Sequence, residues 1–512
     1  MASELDGRKI PVATLVRDWG TPLFVYDADV LRDRFEQLRD LLDERLTIFY
    51  SLKANPNIAI AALFRSFGAG AEVSSHTELV TALRAGFAPA DIVFVGPGKS
   101  RDELDAVLRY GIYATVCESM QELAMLDELA RAHGVKAPAA IRVNPQFIVE
   151  GARQNMAGKP RQFGIDEEQL PDDLVHRFPN LHIRGVHVYA GTRILSEPAI
   201  ANATARILDL AERLTAAWGC PLEFVDVGGG IGVAYFEGEN DIDSERLAAL
   251  VNPVIQRFAA RHPGTRLVTE LGRYLTAPAG IYLTTIRYTK TSKGRNFAVA
   301  DGGVNHHHAS TGLGSVLTRD FPIRLLTRPD EPATTTWTVT GPLCTPADTL
   351  VHDASLPPLQ PGDLMAIPRC GAYGPSASPV LFLGHGHPAE ILLHQGQSHL
   401  IRTRDGSDDI LRPHRLPEFL HPGKNMSHND AQITETITTA LRPLLDDPDT
   451  PIHYDTRILD DLGVDSTTIL RLLLRLEDEF HVEFDPDALF ARHFATLADL
   501  TAYVRKHVEL GC

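Results

Sequence analysis

The stretch Phe49-Tyr50-Ser51-Leu52-Lys53-Ala54-Asn55 sets a lysine at the end of an apolar run, followed by small residues. A buried ammonium is costly unless it is paired or put to covalent use. At a strand end in a tight Ala/Asn turn, the Lys53 ε-amine could form an imine with an aldehyde; the plain alternative is a surface lysine. Four further elements follow in order. Val225-Asp226-Val227-Gly228-Gly229-Gly230-Ile231-Gly232 is a strand running into a glycine-rich turn. The N–H groups of Gly228, Gly229 and Gly230 could cradle a phosphate, although turns also use glycine for its conformational freedom alone. Glu270-Leu271-Gly272-Arg273 ends another strand. Its carboxylate and guanidinium could bind a protonated ring nitrogen and an anion, or simply pair locally. His187, in His187-Val188-Tyr189-Ala190-Gly191, could stack on a ring or serve structure. Gly341-Pro342-Leu343-Cys344 and Cys370-Gly371-Ala372-Tyr373-Gly374 add a thiol and a phenol, whose plain readings are a buried cysteine and an aromatic beside a turn.

These groups need a scaffold that gathers strand ends. From about residue 31 to 285 short apolar runs alternate with amphipathic stretches. Leu46–Tyr50, Ile92–Val95, Ala139–Val143, Ile183–His187, Phe224–Val227 and Leu267–Thr269 read as buried strands. Ile58–Phe67, Thr77–Arg84, Arg101–Arg109, Ser119–His133 and Pro198–Trp218 have helical spacing. So many strand–helix units imply a parallel (β/α)8 barrel, whose strand C-termini are where chemistry collects. Between 286 and 403 the pattern changes to turn-separated strands at Ile281–Lys290, Asn296–Ala300, Thr334–Thr340, Leu364–Ile367 and Glu390–His394, which predicts a β-rich barrel or sandwich domain. Residues 1–30, through Leu23–Tyr26, are expected to join it. Residues 404–428 read as a linker and 429–512 as a small all-α module. His306-His307-His308 could suggest a metal, but adjacent histidines point to different faces and no carboxylate completes a site, so none is expected.

The bulk properties narrow the class. The chain has 512 residues, too many for one compact domain, and a net charge of −17. Residues 427–512 hold 17 Asp and Glu against 7 Lys and Arg, a net of −10, which leaves −7 on the other 426 residues. That asymmetry marks a separate acidic module and argues against nucleic acid as a partner. No run of 18 apolar residues predicts a membrane span, and Met1–Ile10 lacks the apolar core of a signal peptide. Five scattered cysteines, at 117, 220, 344, 370 and 512, suit a reducing, cytoplasmic setting.

In this order the five motifs resemble the fold-type III pyridoxal-phosphate decarboxylases, a family that includes diaminopimelate and ornithine decarboxylases, over roughly residues 10–403. The resemblance implies a TIM-like barrel plus a β domain, pyridoxal 5′-phosphate as cofactor, and active sites shared across a homodimer. It gives Lys53 the covalent bond to the aldehyde, His187 the stack on the ring, and Gly228, Gly229 and Gly230 the phosphate. Glu270 would pair with the pyridine nitrogen, Arg273 would contact phosphate or substrate carboxylate, Tyr373 would reach the phosphate, and Cys344 would enter from the partner subunit. A ring kept protonated by a carboxylate is an effective electron sink. Cα–CO2 cleavage perpendicular to the ring then leaves a carbanion that needs a proton, which Cys344 could supply. An arginine in place of Glu270 would favour racemisation instead.

Two departures bear on the substrate. Diaminopimelate decarboxylases typically carry Cys-Glu-Ser-Gly-Asp where this chain has Cys344-Thr345-Pro346-Ala347-Asp348, and their Arg-Pro-x-x-Tyr motif is absent after Asp301-Gly302-Gly303. Both losses remove groups expected to bind a distal amino acid centre. Thr345 also replaces the acidic residue that follows this cysteine in ornithine decarboxylases, which argues against a free diamine substrate. Ala190 stands where some relatives have a phosphate-binding serine. Arg273, Asp348 and His307 remain as substrate contacts. The GPLCTP and HHH segments resemble decarboxylases of specialised biosynthesis, including those acting on glutamyl carrier proteins.

The acidic tail explains the losses. Ala431–Leu445, Thr467–Phe480 and Thr496–Val504 read as amphipathic helices. Asp465-Ser466 before a helix is by itself an N-cap signal. With Leu462-Gly463-Val464 before it and Glu477-Asp478-Glu479-Phe480 after it, the segment resembles a four-helix acyl carrier protein, which implies 4′-phosphopantetheine on Ser466. A phosphopantetheinyl transferase and a loading enzyme are then expected partners, and an acidic surface suits basic patches on them. A thioester on the arm uses up one carboxyl group, whereas decarboxylation needs a free α-amine and α-carboxylate, so the amino acid must be attached through its side chain. Glutamate would give a 4-aminobutyryl thioester and aspartate a β-alanyl one; the biosynthetic resemblance favours glutamate. The linker spans roughly 25–30 Å as a flexible chain and can give a millimolar effective concentration. The competing reading is a decarboxylase of a free diamino acid whose carrier serves other enzymes. A catalytically dead scaffold is opposed by Lys53, Glu270 and Cys344.

Overall fold

The computed structural model describes residues 12–149, 154–311, 319–417, 420, 430–484 and 494–510. Two compact units result, Met1–Ile410 and Leu411–Cys512.

In the first unit eight parallel strands close a barrel: Leu46–Ser51, Gly70–Val73, Ile92–Phe94, Ala114–Cys117, Ala137–Asn144, Leu181–His187, Phe224–Gly229 and Arg266–Leu271. The last pairs with the first, Glu270 opposite Phe49. Local chemistry starts and stops the intervening helices. Ser100 and Glu103 form a reciprocal capping box at Arg101–Tyr110, and Gly111 ends that helix in the left-handed conformation. Ser119 caps Met120–His133. The helix Ser244–Arg261 accommodates Pro253 within it. The barrel interior is filled by Phe49, Val93, Val95, Ala114, Val116, Ala140, Phe224 and Val268, and the helices cover the outside with a larger apolar layer. Among the described residues no helix is long and apolar enough to cross a membrane.

A second sheet runs in the order 349–356, 335–340, 295–300, 280–292, 23–27, 389–394, 397–402, with 364–368 also paired to 280–292. Leu23–Asp27 lies between Gly280–Ser292 and Ala389–His394, so an N-terminal segment is built into a C-terminal sheet. The seam to the barrel is set by glycine. A Cβ on Gly280 would overlap the Gly371 backbone, and one on Gly371 would overlap the Thr276 carbonyl oxygen. That close approach lets Asn55 Nδ2 donate to the Gly371 carbonyl at 3.1 Å and the Tyr373 N–H donate to the Ala54 carbonyl at 2.7 Å.

The second unit contains three α-helices among its described residues, Asp430–Leu441, Ser466–Phe480 and Leu497–Leu510. A fourth helix, if it falls within 485–493, lies outside them. Ile433, Ile437, Leu441, Leu472, Leu473, Leu476, Leu500 and Val504 meet in one core, the i, i+3/i+4 spacing of three amphipathic stripes.

Gly371→Ala should lower the stability of the first unit by about 2–4 kcal/mol, because backbone must move to admit the methyl. Gly98→Ala, with open space around its Cβ position, should stay within about 0.5 kcal/mol. Denaturant unfolding followed by tryptophan fluorescence compares them.

Candidate active site

The candidate residues converge at the C-terminal ends of the barrel strands. Lys53 lies in a 3-10 turn, Leu52–Ala54, directly after the first strand. Its Nζ donates to Glu72 Oε2 at 2.8 Å and stands 4.0 Å from Glu270 Oε2. The Tyr189 ring centroid is 5.5 Å from it. The lysine side chain is 33 % exposed while Glu72 and Glu270 are buried, so the amine is open on one side and held by carboxylates on the other. Burial opposes the ammonium, but Glu72 and Glu270 together outweigh it and raise the Lys53 pKa.

Glu270 Oε1 accepts from His187 Nε2 at 3.0 Å, and His187 is fully buried. The register places Asp226 beside His187 and Gly229 beside Glu270. His187, Asp226 and Glu270 each bring a ligand-type atom within 4.8 Å of the others. Three such groups cannot share a dry site with both acids ionised. Burial raises the Asp226 pKa, and Glu270 raises it further. Against its own burial, Glu270 is pulled down by His187 and Lys53. Asp226 therefore holds the proton and Glu270 the charge. Glu270 Oε2 and His187 Nδ1 are buried without hydrogen-bond partners, unusual for native interiors.

The glycine turn follows Asp226 directly. Gly228 and Gly230 have φ of +69° and +84°. A side chain on Gly228 would strike the Val188 carbonyl, and one on Gly230 the Gly191 carbonyl. The Gly228 N–H is already committed to Asp226 Oδ1 at 2.8 Å. Of the three amides expected to meet an anion, the structure thus uses one internally. Arg273 Nη1 donates to the Tyr235 hydroxyl at 3.2 Å, and its guanidinium lies 4.5 Å from the Tyr373 ring centroid. Tyr373 itself adopts φ +55°, so its ring is set by the seam that fixes Ala54.

Three candidate residues lie outside this contact cluster, Cys344 being expected to act from the partner subunit. Cys344 is a free, exposed thiol on the loop 341–348 and makes none of the contacts that join Lys53, Glu72, His187 and Glu270. Asp348, expected at the substrate, is buried and staples that same loop: its carboxylate accepts the N–H groups of Val304 at 2.8 Å and Leu343 at 2.7 Å. His307, also expected at the substrate, is buried against Phe321 and Tyr282, with ring centroids at 4.9 and 6.1 Å. Both therefore take structural contacts. Two residues that the sequence did not single out belong to the cluster, Glu72 and Asp226. The available signal was a carboxylate inside an apolar four- to six-residue strand, which must find a partner when buried.

Residues 28–277 match the family described as pyridoxal-dependent decarboxylase, pyridoxal binding domain. The chain is 39 % identical over 406 residues to L-glutamyl-[BtrI acyl-carrier protein] decarboxylase of Niallia circulans, covering 78 % of this chain and 95 % of that protein. The chain belongs to the pyridoxal-dependent decarboxylases. Diaminopimelate decarboxylase of Aquifex aeolicus is 30 % identical over 413 residues, 79 % of this chain and 94 % of that one. The crystal structure of Helicobacter pylori diaminopimelate decarboxylase with L-lysine superposes with a TM-score of 0.71 at 30 % identity, covering 78 % of this chain and 98 % of that chain. Residues 435–504 match the phosphopantetheine attachment site family, which gives this decarboxylase a carrier domain. There Asp465 caps the helix through the Thr468 N–H at 2.8 Å, and the exposed Ser466 is the first helical residue.

Pyridoxal phosphate fits the residues present. The amine of Lys53 is reachable, the orphaned Glu270 Oε2 lies 4.0 Å from it, and the glycine turn offers backbone without side chains.

Burial lowers the pKa of His306 and His307 to about 4. A histidine depressed in the folded state stays neutral while the unfolded chain takes up protons, so stability falls as pH drops from about 6.5 towards 4. The slope is at most about 1.4 kcal/mol per pH unit for each imidazole. His307→Gln should flatten this loss, read as melting temperature between pH 7 and 4.5.

Proposed function

We propose that this decarboxylase acts on an amino acid tethered through its side chain as a thioester on a phosphopantetheinyl carrier, with L-glutamyl carrier as substrate and 4-aminobutyryl carrier as product. The observation that carries the reading is the joining, in one polypeptide, of the Lys53–Glu270 site to a carrier domain with Ser466 at a helix start. Likeness to a decarboxylase named for a glutamyl carrier substrate supports glutamate. So does the loss of the groups that would read a distal amino acid centre.

Lys53 would hold the coenzyme covalently, with Gly229, Gly230, Arg273 and Tyr373 around its phosphate and Glu270 at its ring nitrogen. When bound, the coenzyme supplies the sink for the electron pair left by departing CO2. The protein's own residues supply the rest. Glu72, 2.8 Å from Lys53 Nζ, can receive the proton that this amine must lose to act as a nucleophile and return it afterwards. Glu270, kept ionised by His187 and relieved of its rival by a protonated Asp226, can hold a proton on the ring nitrogen. The His187–Glu270 bond also fixes the imidazole plane as one wall. Arg273 can fix a carboxylate or phosphate through its fork of donors. Cys344 acts as acid to Cα from the partner subunit of a homodimer; on its own protomer it is exposed. A reducing cytoplasm would keep that thiol free.

The tethered route requires a phosphopantetheinyl transferase to modify Ser466 and a loading enzyme to attach glutamate. Intact mass of the loaded full chain should fall by one CO2 per carrier, with free glutamate untouched. Lys53→Ala should slow this on the order of a thousandfold or more, and Cys344→Ala about a hundredfold at unchanged cofactor content. Turnover of free diamino acids beside an inert loaded carrier would replace the proposal with the free-substrate reading, which the diaminopimelate decarboxylase relatives favour.

A further inference from the structure

The segment after the strand Ala137–Asn144 and the first turns of the helix Glu197–Trp218 enclose a cavity of about 410 Å³. Phe147 and Val149 are buried in its wall, Ile148 is 42 % exposed, and Pro198 and Ala199 line the opposite side. Arg206 is the one charged side chain among the described lining residues, its guanidinium 4.1 Å from the Phe147 ring centroid.

The cavity lies on the face of the barrel that carries Lys53, His187 and Glu270, because both segments leave the C-terminal ends of barrel strands. It is also tied to the site wall. Gly191–Thr192 pairs with Gln154–Asn155, and the Ile194 N–H donates to the Gly230 carbonyl at 2.9 Å. Only two residues after Ile194, Ser196 caps the helix that borders the cavity.

We propose that this cavity binds the phosphopantetheine arm of a loaded carrier. The inference rests on the reading that the substrate is carrier-bound. The arm presents a geminal dimethyl group, two amides and a phosphate. Phe147, Ile148, Val149 and Pro198 match the apolar part by burial of surface, and Arg206 matches the phosphate by charge and by its planar fork of donors. A free amino acid carries neither feature. Binding energy from this remote part of the substrate is then available to orient the reacting end, and truncated substrates lose it.

Two measurements test the cavity separately from the function. Both use the full chain with coenzyme bound and Ser466→Ala, so that no arm of its own competes. Equilibrium dialysis with 4′-phosphopantetheine should show binding that Arg206→Glu and Ala199→Phe each weaken about tenfold. Arg206 is exposed and Ala199 is half-buried against the core, and an unchanged melting temperature identifies folded variants. Turnover is then compared for γ-glutamyl-4′-phosphopantetheine and for the γ-glutamyl thioester of N-acetylcysteamine. The variants should lower kcat/KM about tenfold on the long arm and leave the short thioester unchanged. Parent-like binding and parent-like discrimination in both variants would overturn the proposal. If neither thioester is decarboxylated, the function fails, yet the dialysis result still decides what the cavity holds.

Discussion

Charge compensation among five buried or half-buried groups at the barrel mouth constrains everything around it. Lys53, Glu72, Glu270, His187 and Asp226 come from five different strand ends or the turns after them. None could be placed there alone, since an isolated charge in a dry interior costs several kcal/mol. Each is tolerable because the others are within reach: an ammonium between two carboxylates, an imidazole on one of them, and a neutral acid beside it. The barrel is the device that brings five remote segments to one ring, and closure between Arg266–Leu271 and Leu46–Ser51 completes the ring at Lys53 itself.

The second sheet then acts on the same ring from outside. Asn55 Nδ2 donates to the Gly371 carbonyl and the Tyr373 N–H donates to the Ala54 carbonyl across a seam that only glycine permits. Tyr50, one strand position from the turn, adds its hydroxyl to the Asn55 carbonyl at 2.6 Å. The lysine turn is therefore held from both domains. Strain at Tyr373, whose backbone is left-handed, is supported by this bonding and sets the ring under the Arg273 guanidinium.

Much of this was legible in the residues. Lys53, His187 and Glu270, which the fold brings together, stood out because each ends a recognisable apolar run. Six of the barrel strands were visible for the same reason. Gly70–Val73 and Ala114–Cys117 escaped because each is only four residues long, Gly-Ala-Glu-Val and Ala-Thr-Val-Cys, too short to carry a periodic signal. The helix Ser244–Arg261 was hidden by Pro253, a breaker in most interiors. Glu72 and Asp226 gain meaning only after the strands are laid side by side, since their partners are 19 residues away at Lys53 and 44 residues away at Glu270. Asp348 and His307 were singled out by residue type alone; the contacts the fold gives them are a loop staple for one and an aromatic cluster for the other.

In the carrier unit the division of labour between neighbouring residues has its own consequence. Asp465 spends its carboxylate on the exposed backbone of the helix start, which leaves the adjacent Ser466 hydroxyl with no structural duty. Derivatising that oxygen would remove no cap, so the bundle would need no refolding to accept a prosthetic group there. On the proposed attachment, folding and maturation would be uncoupled: a chain could reach its native state first and wait, intact and chemically silent, for its modification.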